Sequence, residues 1–340
     1  MLRFRLIPVA AALLWVLPCR AESNVGFAVL DLEHGENPIV VAVWYPTDAD
    51  PKPHTYGGST QGRVSVDAEP RAEGGPFPLL VFSHGYGGSG LGAVFLFEAL
   101  AARGWIVAAP DHSDRHSAVR IRTGQQADFD RIGFLRHARE ISESGPEDRE
   151  AYLYRIEEME STLAGVLASE RFGKRIDPER IAVGGHSFGG YTALGVCGAL
   201  PGRRDKRVQA TLLFSTGAAG YLYRDAELAA VDMPSMYLLG ELEKEDRRGE
   251  KTMTEIAERV HGLLPAPKYF LEVKGANHFS FNNRFSDTPG ARRMSGTAEQ
   301  FDVIRRYSIA FLEKHVLGSR EADAVLDAPD PLLTRSERTR

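Results

Sequence analysis

Residues 181–190, which read Ile-Ala-Val-Gly-Gly-His-Ser-Phe-Gly-Gly, constrain the fold of this chain more than any other segment. A short apolar run, typical of a buried strand, leads into Gly-His-Ser-Phe-Gly and then into an alanine-rich helical pattern. Gly185 and Gly189 let the strand and the helix approach closely, so the sharp turn between them exposes Ser187 to a substrate. The segment therefore predicts Ser187 as a catalytic nucleophile.

Strand and helix patterns alternate through most of the chain. Apolar and β-branched runs predict strands at residues 25–32, 38–45, 77–83, 105–109, 181–186, 208–215, 235–240 and 268–273. Helical spacing of apolar residues predicts helices at residues 91–103, 148–172, 250–263 and 298–316. This alternation predicts an α/β fold with a mostly parallel central sheet and helices on both of its faces.

The composition allows one large domain. Hydrophobic residues make up 43% of the 340 residues and charged residues 26%, which suffices for a substantial core. We place this domain at residues 22–317 and expect a flexible tail at 318–340. Residues 46–76 are rich in Pro, Gly and polar residues and predict a long surface excursion. Residues 112–150 are polar and charged and are a possible helical cap over the active site.

The N-terminus predicts export. Residues 1–5 are basic, residues 6–17 are apolar, and Cys19 and Ala21 supply small side chains at the −3 and −1 positions of a cleavage site. We interpret residues 1–21 as a cleaved signal peptide; a membrane anchor is the alternative, although the apolar run is short for spanning a bilayer. The mature protein is then periplasmic or secreted, with no stable membrane anchor. It keeps only Cys197, which we expect to be a buried thiol.

A serine nucleophile needs a base, and three histidines follow Ser187 in the chain. His261 and His315 fall within helical patterns. His278 lies in a loop directly after the apolar run 268–273, and loops at the carboxyl ends of parallel strands are where such sheets place their ligands. We therefore predict that His278 is the base.

The acid that orients this histidine should lie between Ser187 and His278. The strand pattern at 235–240 is followed by a loop with four carboxylates, Glu241, Glu243, Glu245 and Asp246. Most of them must be solvated surface charges. The spacing from the end of the strand favours Glu243, and the other three remain possible.

Two further segments surround the predicted nucleophile. The oxyanion formed on attack needs preorganised N–H donors, which we expect from the backbone of Phe188 and of Tyr86, in the glycine-rich loop after the strand at 77–83. His186 is expected to pack or hydrogen-bond beneath the turn. The cluster at residues 111–116, Asp-His-Ser-Asp-Arg-His, has metal-binding residue types, but we expect loop hydrogen bonds there and no metal or cofactor.

These motifs resemble those of the serine α/β-hydrolases. Residues 78–85, 104–109 and 181–190 are similar to plasma-type platelet-activating-factor acetylhydrolases, and equally to bacterial proteins called predicted dienelactone hydrolases. The segment 43–46, Val-Trp-Tyr-Pro, is also similar to that group. The resemblance implies an α/β-hydrolase fold, with Ser187 as nucleophile, His278 as base and Tyr86 and Phe188 as oxyanion donors.

One departure from that group concerns the acid. Acetylhydrolases of this type carry it directly after the strand that follows the nucleophile's helix, where this chain reads Leu-Phe-Ser-Thr-Gly at 213–217. The acid must then come from the next strand's loop, as in bacterial polyester and dienelactone-type hydrolases. Dienelactone hydrolases proper use a cysteine nucleophile, which this chain does not have in the motif.

The sequence thus predicts a secreted serine carboxylic-ester hydrolase that acts through an acyl-enzyme on short-chain esters. A phospholipid deacetylase of the platelet-activating-factor type and a polyester hydrolase are alternatives, followed by a peptidase or amidase and by a noncatalytic binding protein. The expected partner is a small-molecule or lipid ester. The net charge of −5 gives no electrostatic footprint for nucleic acid.

Overall fold

The computed structural model describes residues 22–57, 60–217, 219–245, 247–248, 251–283 and 294–340. The predicted signal peptide at residues 1–21 lies outside the described residues. No helix within the described ranges is long and apolar enough to cross a membrane.

The strands are β1 (Asn24–Leu32), β2 (Ile39–Thr47), β3 (Lys52–Gly57), β4 (Thr60–Val66), β5 (Phe77–Ser83), β6 (Ile106–Pro110), β7 (Val119–Arg120), β8 (Gly124–Gln125), β9 (Ile176–His186), β10 (Val208–Phe214), β11 (Ser235–Gly240), β12 (Arg247–Arg248), β13 (Lys251–Thr252), β14 (Lys268–Val273) and β15 (Leu333–Thr339). The α-helices are α1 (Val94–Ala102), α2 (Arg131–Glu143), α3 (Leu153–Ala168), α4 (Phe188–Leu194), α5 (Ala219–Leu222), α6 (Asp225–Ala229), α7 (Met253–Leu263), α8 (Ala298–Leu317) and α9 (Ala322–Asp327).

Eleven strands of the described chain form one sheet, in the order β3-β4-β1-β2-β6-β5-β9-β10-β11-β14-β15. The neighbours from β6 to β14 all pair in parallel, whereas β2 pairs antiparallel with β6 and β15 pairs antiparallel with β14. The carboxyl ends of β5, β9, β10, β11 and β14 therefore meet at one edge of the sheet. This is the mostly parallel α/β sheet that the sequence predicts.

Helices cover both faces of the sheet. Leu79 and Val81 of β5 point into a core that also contains apolar residues of α3, α4 and α7. Leu80 and Phe82 point to the opposite face, where α1, α8 and α9 contribute. Because the central strands are apolar on both faces, each face needs a helical layer to remove it from water.

Two segments differ from the prediction. The surface excursion at 46–76 contains the antiparallel pair β3 and β4, and β4 extends the sheet beside β1. The segment 318–340, predicted as a flexible tail, contains α9, which packs on α8, and β15, which pairs along the whole of β14. An edge strand is held by main-chain hydrogen bonds, so the polar sequence Leu-Thr-Arg-Ser-Glu-Arg-Thr carries almost no apolar signal.

Candidate active site

The turn between β9 and α4 holds Ser187 in a backbone conformation that non-glycine residues rarely adopt, with φ of 54° and ψ of −118°. The two glycines predicted to permit this turn are required sterically. A Cβ atom at Gly185 would collide with the backbone of Gly189, and one at Gly189 would collide with the carbonyl group of Ser83. The N–H of Ser187 donates to the carbonyl oxygen of Phe214 at 2.8 Å, which ties the turn to the end of β10.

Three predicted residues come together at the carboxyl edge of the sheet. Ser187 Oγ lies 2.9 Å from Nε2 of His278, and Nδ1 of the same ring lies 3.2 Å from Oε2 of Glu243. Glu243 is fully buried, while the His278 side chain retains 11% exposure. We refer to Ser187, His278 and Glu243 as the candidate triad.

A short 3-10 turn after β11, at Glu241–Glu245, determines which of the described carboxylates faces His278. It points Glu243 inward, where Oε1 accepts the N–H of Gly240 at 2.8 Å. Glu241 instead accepts the N–H of Gly275 at 2.8 Å, and Glu245 is exposed. Asp246 lies outside the described residues. Of the three described carboxylates, only Glu243 has a hydrogen bond to the histidine.

Sequence reasoning gave no role to Ser215, which follows β10 directly. Its hydroxyl donates to Oε2 of Glu243 and lies 2.5 Å from Nδ1 of His278. The available signal was the position, because a polar residue at the carboxyl end of a buried strand faces the same edge of the sheet as the candidate triad.

The loop after β5 brings Tyr86 to the other side of the nucleophile. A Cβ atom at Gly85 in this loop would lie 3.2 Å from Cβ of Ser187, so the backbone passes close to the serine. Phe188 begins α4, and its N–H is one of the first-turn donors without a partner inside the helix. The donor roles predicted for the Tyr86 and Phe188 N–H groups remain predictions.

A buried ion pair forms hydrogen bonds to this loop. Arg155 of α3 contacts both carboxylate oxygens of Asp114 at 2.9 Å, and both side chains are fully buried. Arg155 also donates to the carbonyl oxygen of His84 at 2.9 Å, while Asp114 accepts the N–H of Gly87 at 3.2 Å. The guanidinium carbon lies 4.6 Å from the ring centroid of Phe188, so this one cation touches both predicted oxyanion segments.

The charge state of the pair follows from its surroundings. Burial alone would raise the pKa of Asp114, but the Arg155 guanidinium outweighs it and holds that pKa well below its ordinary value. Asp114 is therefore ionised at neutral pH, and the pair acts as a fixed charged support.

His112 of the same 111–116 segment is the central residue of a second Ser–His–Glu arrangement, with Ser83 of β5 and Glu158 of α3. His112 Nδ1 donates to Oε2 of Glu158 at 2.7 Å, and its Nε2 lies 2.7 Å from Oγ of Ser83. Burial, followed by the charge of Arg155, lowers the pKa of His112, so the ring is neutral and its Nε2 accepts a hydrogen bond from the Ser83 hydroxyl. We call Ser83, His112 and Glu158 the buried relay. Together with Asp111, which accepts the N–H groups of Gly90 and Ile121, it supplies the loop hydrogen bonding expected for this segment.

His186 lies directly beneath His278. Its Nε2 donates to the carbonyl oxygen of His278 at 2.8 Å, and the two ring centroids are 4.9 Å apart. Burial, and then the neighbouring His278, lowers the pKa of His186 to about 3. It is a neutral support for the histidine loop, in the hydrogen-bonding position expected from the sequence.

Helix α2, within the predicted cap at 112–150, contacts Tyr86 in the loop after β5. The ring of Phe134 stacks on Tyr86 with centroids 5.2 Å apart, and the Tyr86 hydroxyl lies 2.6 Å from Nδ1 of His137. Ile132 and Leu135 of the same helix remain largely exposed. The helix therefore lies against the loop that carries Tyr86, and its role as a cap remains a prediction.

Part of the chain resembles a known protein family. Residues 52–216 match the family model of platelet-activating factor acetylhydrolase, isoform II. This confirms the resemblance predicted from the sequence. Over these residues the chain is similar to a family of carboxylic-ester hydrolases. The matched segment contains Tyr86, Ser187, Phe188 and the buried relay, and it does not include the loops of Glu243 and His278.

A solved structure extends the likeness in fold over almost the whole chain. Ferulic acid esterase from Streptomyces cinnamoneus superposes with a TM-score of 0.64 at 23% sequence identity, covering 94% of this chain and 95% of that one. This likeness confirms the α/β-hydrolase fold, including the carboxyl-terminal part that the family model does not match.

Proposed function

We propose that this protein is an exported serine esterase that cleaves short-chain carboxylic esters through a covalent acyl-enzyme. One observation carries the proposal: Ser187 Oγ lies 2.9 Å from Nε2 of a histidine whose other nitrogen faces a buried carboxylate. A serine hydroxyl is a weak nucleophile until an oriented base removes its proton. The export part depends on the N-terminal sequence pattern at residues 1–21.

Each side chain has a defined part in the reaction. His278 Nε2 takes the proton of Ser187 as Oγ attacks the ester carbonyl carbon, and Glu243 stabilises the imidazolium that forms. The N–H groups of Tyr86 and Phe188 stabilise the oxyanion. His278 then gives its proton to the departing alcohol, leaving the acyl group on Ser187. A water molecule, deprotonated by the same histidine, releases the carboxylic acid and restores the serine.

The surroundings of the nucleophile favour a small ester. Tyr86, Phe134 and Phe188 form an aromatic cluster on one side of Ser187, with centroid separations of 5.2 Å and 6.4 Å from the Tyr86 ring. Phe279, beside the histidine, is 38% exposed. Apolar side chains beside a ligand site contact the apolar part of the ligand and leave its orientation to a few polar groups.

The test compares the wild type with Ser187→Ala on p-nitrophenyl esters from acetate to longer acyl chains. We expect kcat to fall by about 10⁴-fold or more, because removal of the nucleophile leaves only binding and oxyanion stabilisation. A fluorophosphonate probe should label the wild type and not the variant. Retention of most of the wild-type rate by Ser187→Ala would refute the nucleophile assignment, and the preferred chain length decides the short-chain part.

A phospholipid deacetylase is a second candidate, favoured by the family match over residues 52–216. Its substrate also carries a short acyl group, so the same site would serve. Rates on platelet-activating factor and on p-nitrophenyl acetate separate the two. A higher kcat/KM on the phospholipid would favour the deacetylase.

A further inference from the structure

Ser215 occupies an unusual position for a buried serine. It follows the last residue of β10, its side chain is fully buried, and its backbone adopts a left-handed φ of 46°. Its N–H donates to the carbonyl oxygen of Leu238 at 2.8 Å, so the residue is anchored to β11. This geometry directs its hydroxyl to the carboxyl edge of the sheet, between the ends of β11 and β14.

The Ser215 hydroxyl lies between the carboxylate of Glu243 and the imidazole of His278. It donates to Oε2 of Glu243, and its oxygen lies 2.5 Å from Nδ1 of His278, nearer than the 3.2 Å between Nδ1 and Glu243. A serine hydroxyl has one proton and two lone pairs. Because the proton goes to the carboxylate, a lone pair is left to accept the Nδ1–H of the imidazole.

We propose that Ser215 is a positioning residue, whose hydroxyl accepts the Nδ1–H of His278 and couples that ring to the charge of Glu243. This inference rests on the proposed function, in which His278 is the base. Holding the proton on Nδ1 leaves the Nε2 lone pair directed at Ser187. The acid function is thereby divided between residues at the ends of two adjacent strands.

The surroundings of Glu243 explain why a hydroxyl is needed. Its Oε1 already accepts the N–H of Gly240, so Oε2 is the oxygen that faces the histidine. The hydroxyl of Ser215 gives this oxygen a donor and gives the ring a nearer acceptor. A carboxylate introduced at position 215 would face the same ring nitrogen from the end of β10.

The first experiment compares Ser215→Ala with Ser235→Ala. Ser235 is a matched control because it is also buried, begins the neighbouring strand β11 at the opposite edge, and has a hydroxyl without a partner among the described residues. On p-nitrophenyl acetate we expect Ser215→Ala to lower kcat about 10- to 100-fold with KM nearly unchanged, the factor expected for one hydrogen bond to a charged group. Ser235→Ala should change neither constant.

The second experiment moves the carboxylate. Glu243→Gln should be nearly inactive, and adding Ser215→Asp to it should raise kcat at least tenfold, because the new carboxylate faces Nδ1. A purely structural serine would give no such rescue. The inference is overturned if Ser215→Ala retains kcat within twofold of the wild type, or if the double variant is no faster than Glu243→Gln.

These outcomes are separable from failure of the proposed function. Ser187→Ala and fluorophosphonate labelling test the nucleophile independently. If Ser187→Ala keeps the wild-type rate, the proposed function fails. If Ser187→Ala is inactive and Ser215→Ala is unimpaired, only the role of Ser215 is refuted.

Discussion

The candidate triad and the buried relay contain the same three residue types in the same hydrogen-bonding order. In the buried relay the serine–histidine and histidine–glutamate distances are both 2.7 Å, whereas in the candidate triad they are 2.9 and 3.2 Å. By hydrogen-bond distance alone, the buried relay is the tighter arrangement. Its serine, however, is fully buried, while Ser187 is partly exposed.

The difference shows that hydrogen-bond distances alone do not make a serine suitable as a nucleophile. Ser83 is the last residue of an extended strand, whereas Ser187 is exposed by a left-handed turn with the N–H of Phe188 beside it. A nucleophile also needs space for the substrate and donors for the oxyanion. The buried relay has the proton-transfer partners alone and serves to fix the segment after β6 to α3.

The largest expected contrast between the two arrangements concerns their acids. Glu243→Gln should lower kcat about 10³- to 10⁴-fold, because an amide does not stabilise the imidazolium or hold the correct tautomer. Glu158→Gln should leave kcat within a few-fold and lower the free energy of unfolding by about 1–3 kcal/mol, because a charged acceptor of the His112 N–H is lost. Steady-state kinetics and urea unfolding measure both.

Glu241→Gln is the control for that comparison, since Glu241 belongs to the same turn and binds only the N–H of Gly275 among the described residues. We expect its kcat to match the wild type. Equal losses for Glu241→Gln and Glu243→Gln would contradict the assignment of the acid.

The next largest effect concerns the buried ion pair of Arg155 and Asp114, which contacts the loop after β5. Arg155→Leu should lower the free energy of unfolding by about 3–5 kcal/mol, because Asp114 is left as a buried, unpaired charge. The double variant Arg155→Leu with Asp114→Leu should recover part of this loss, since no charge then remains buried. Urea unfolding at pH 7 measures the effect.

The kcat of that double variant tests whether the ion pair also positions the loop after β5. Its kcat should be lower than that of the wild type, because the carbonyl oxygen of His84 and the N–H of Gly87 have both lost these hydrogen-bond partners. If the double variant regained both the wild-type kcat and the wild-type free energy of unfolding, the ion pair would contribute to folding and not to the position of the loop after β5.

The smallest effect is a pH dependence of stability caused by the buried relay. Burial lowers the pKa of His112 in the folded protein. The unfolded chain therefore binds a proton at His112 at a higher pH than the folded protein does. Stability should therefore fall as the pH drops below about 6.5, by up to about 1.4 kcal/mol per pH unit for this one group. Denaturant unfolding at pH 7 and pH 5 should show a smaller decrease for His112→Gln. The same decrease in both proteins would mean that His112 is protonated in the fold.

Some features of the fold were readable from local sequence and others were not. The central strands were predicted because they are continuous apolar runs. The turn at Ser187 was predicted because Gly185 and Gly189 allow the strand and the helix to approach closely. Strands β3, β4 and β15 were missed. They lie at or near the edges of the sheet, where main-chain pairing replaces apolar side chains as the stabilising contact.

The sequence by itself determined where the candidate nucleophile and its histidine partner stand in the chain, because each follows a recognisable apolar strand. Only the tertiary structure distinguished Glu243 from Glu241 and Glu245, since neighbouring carboxylates in a loop carry the same local signal. The position of Ser215 between acid and base was likewise decided by the pairing of β10 with β11. Strand pairing brings together residues that are distant in the chain, and no local pattern records that proximity.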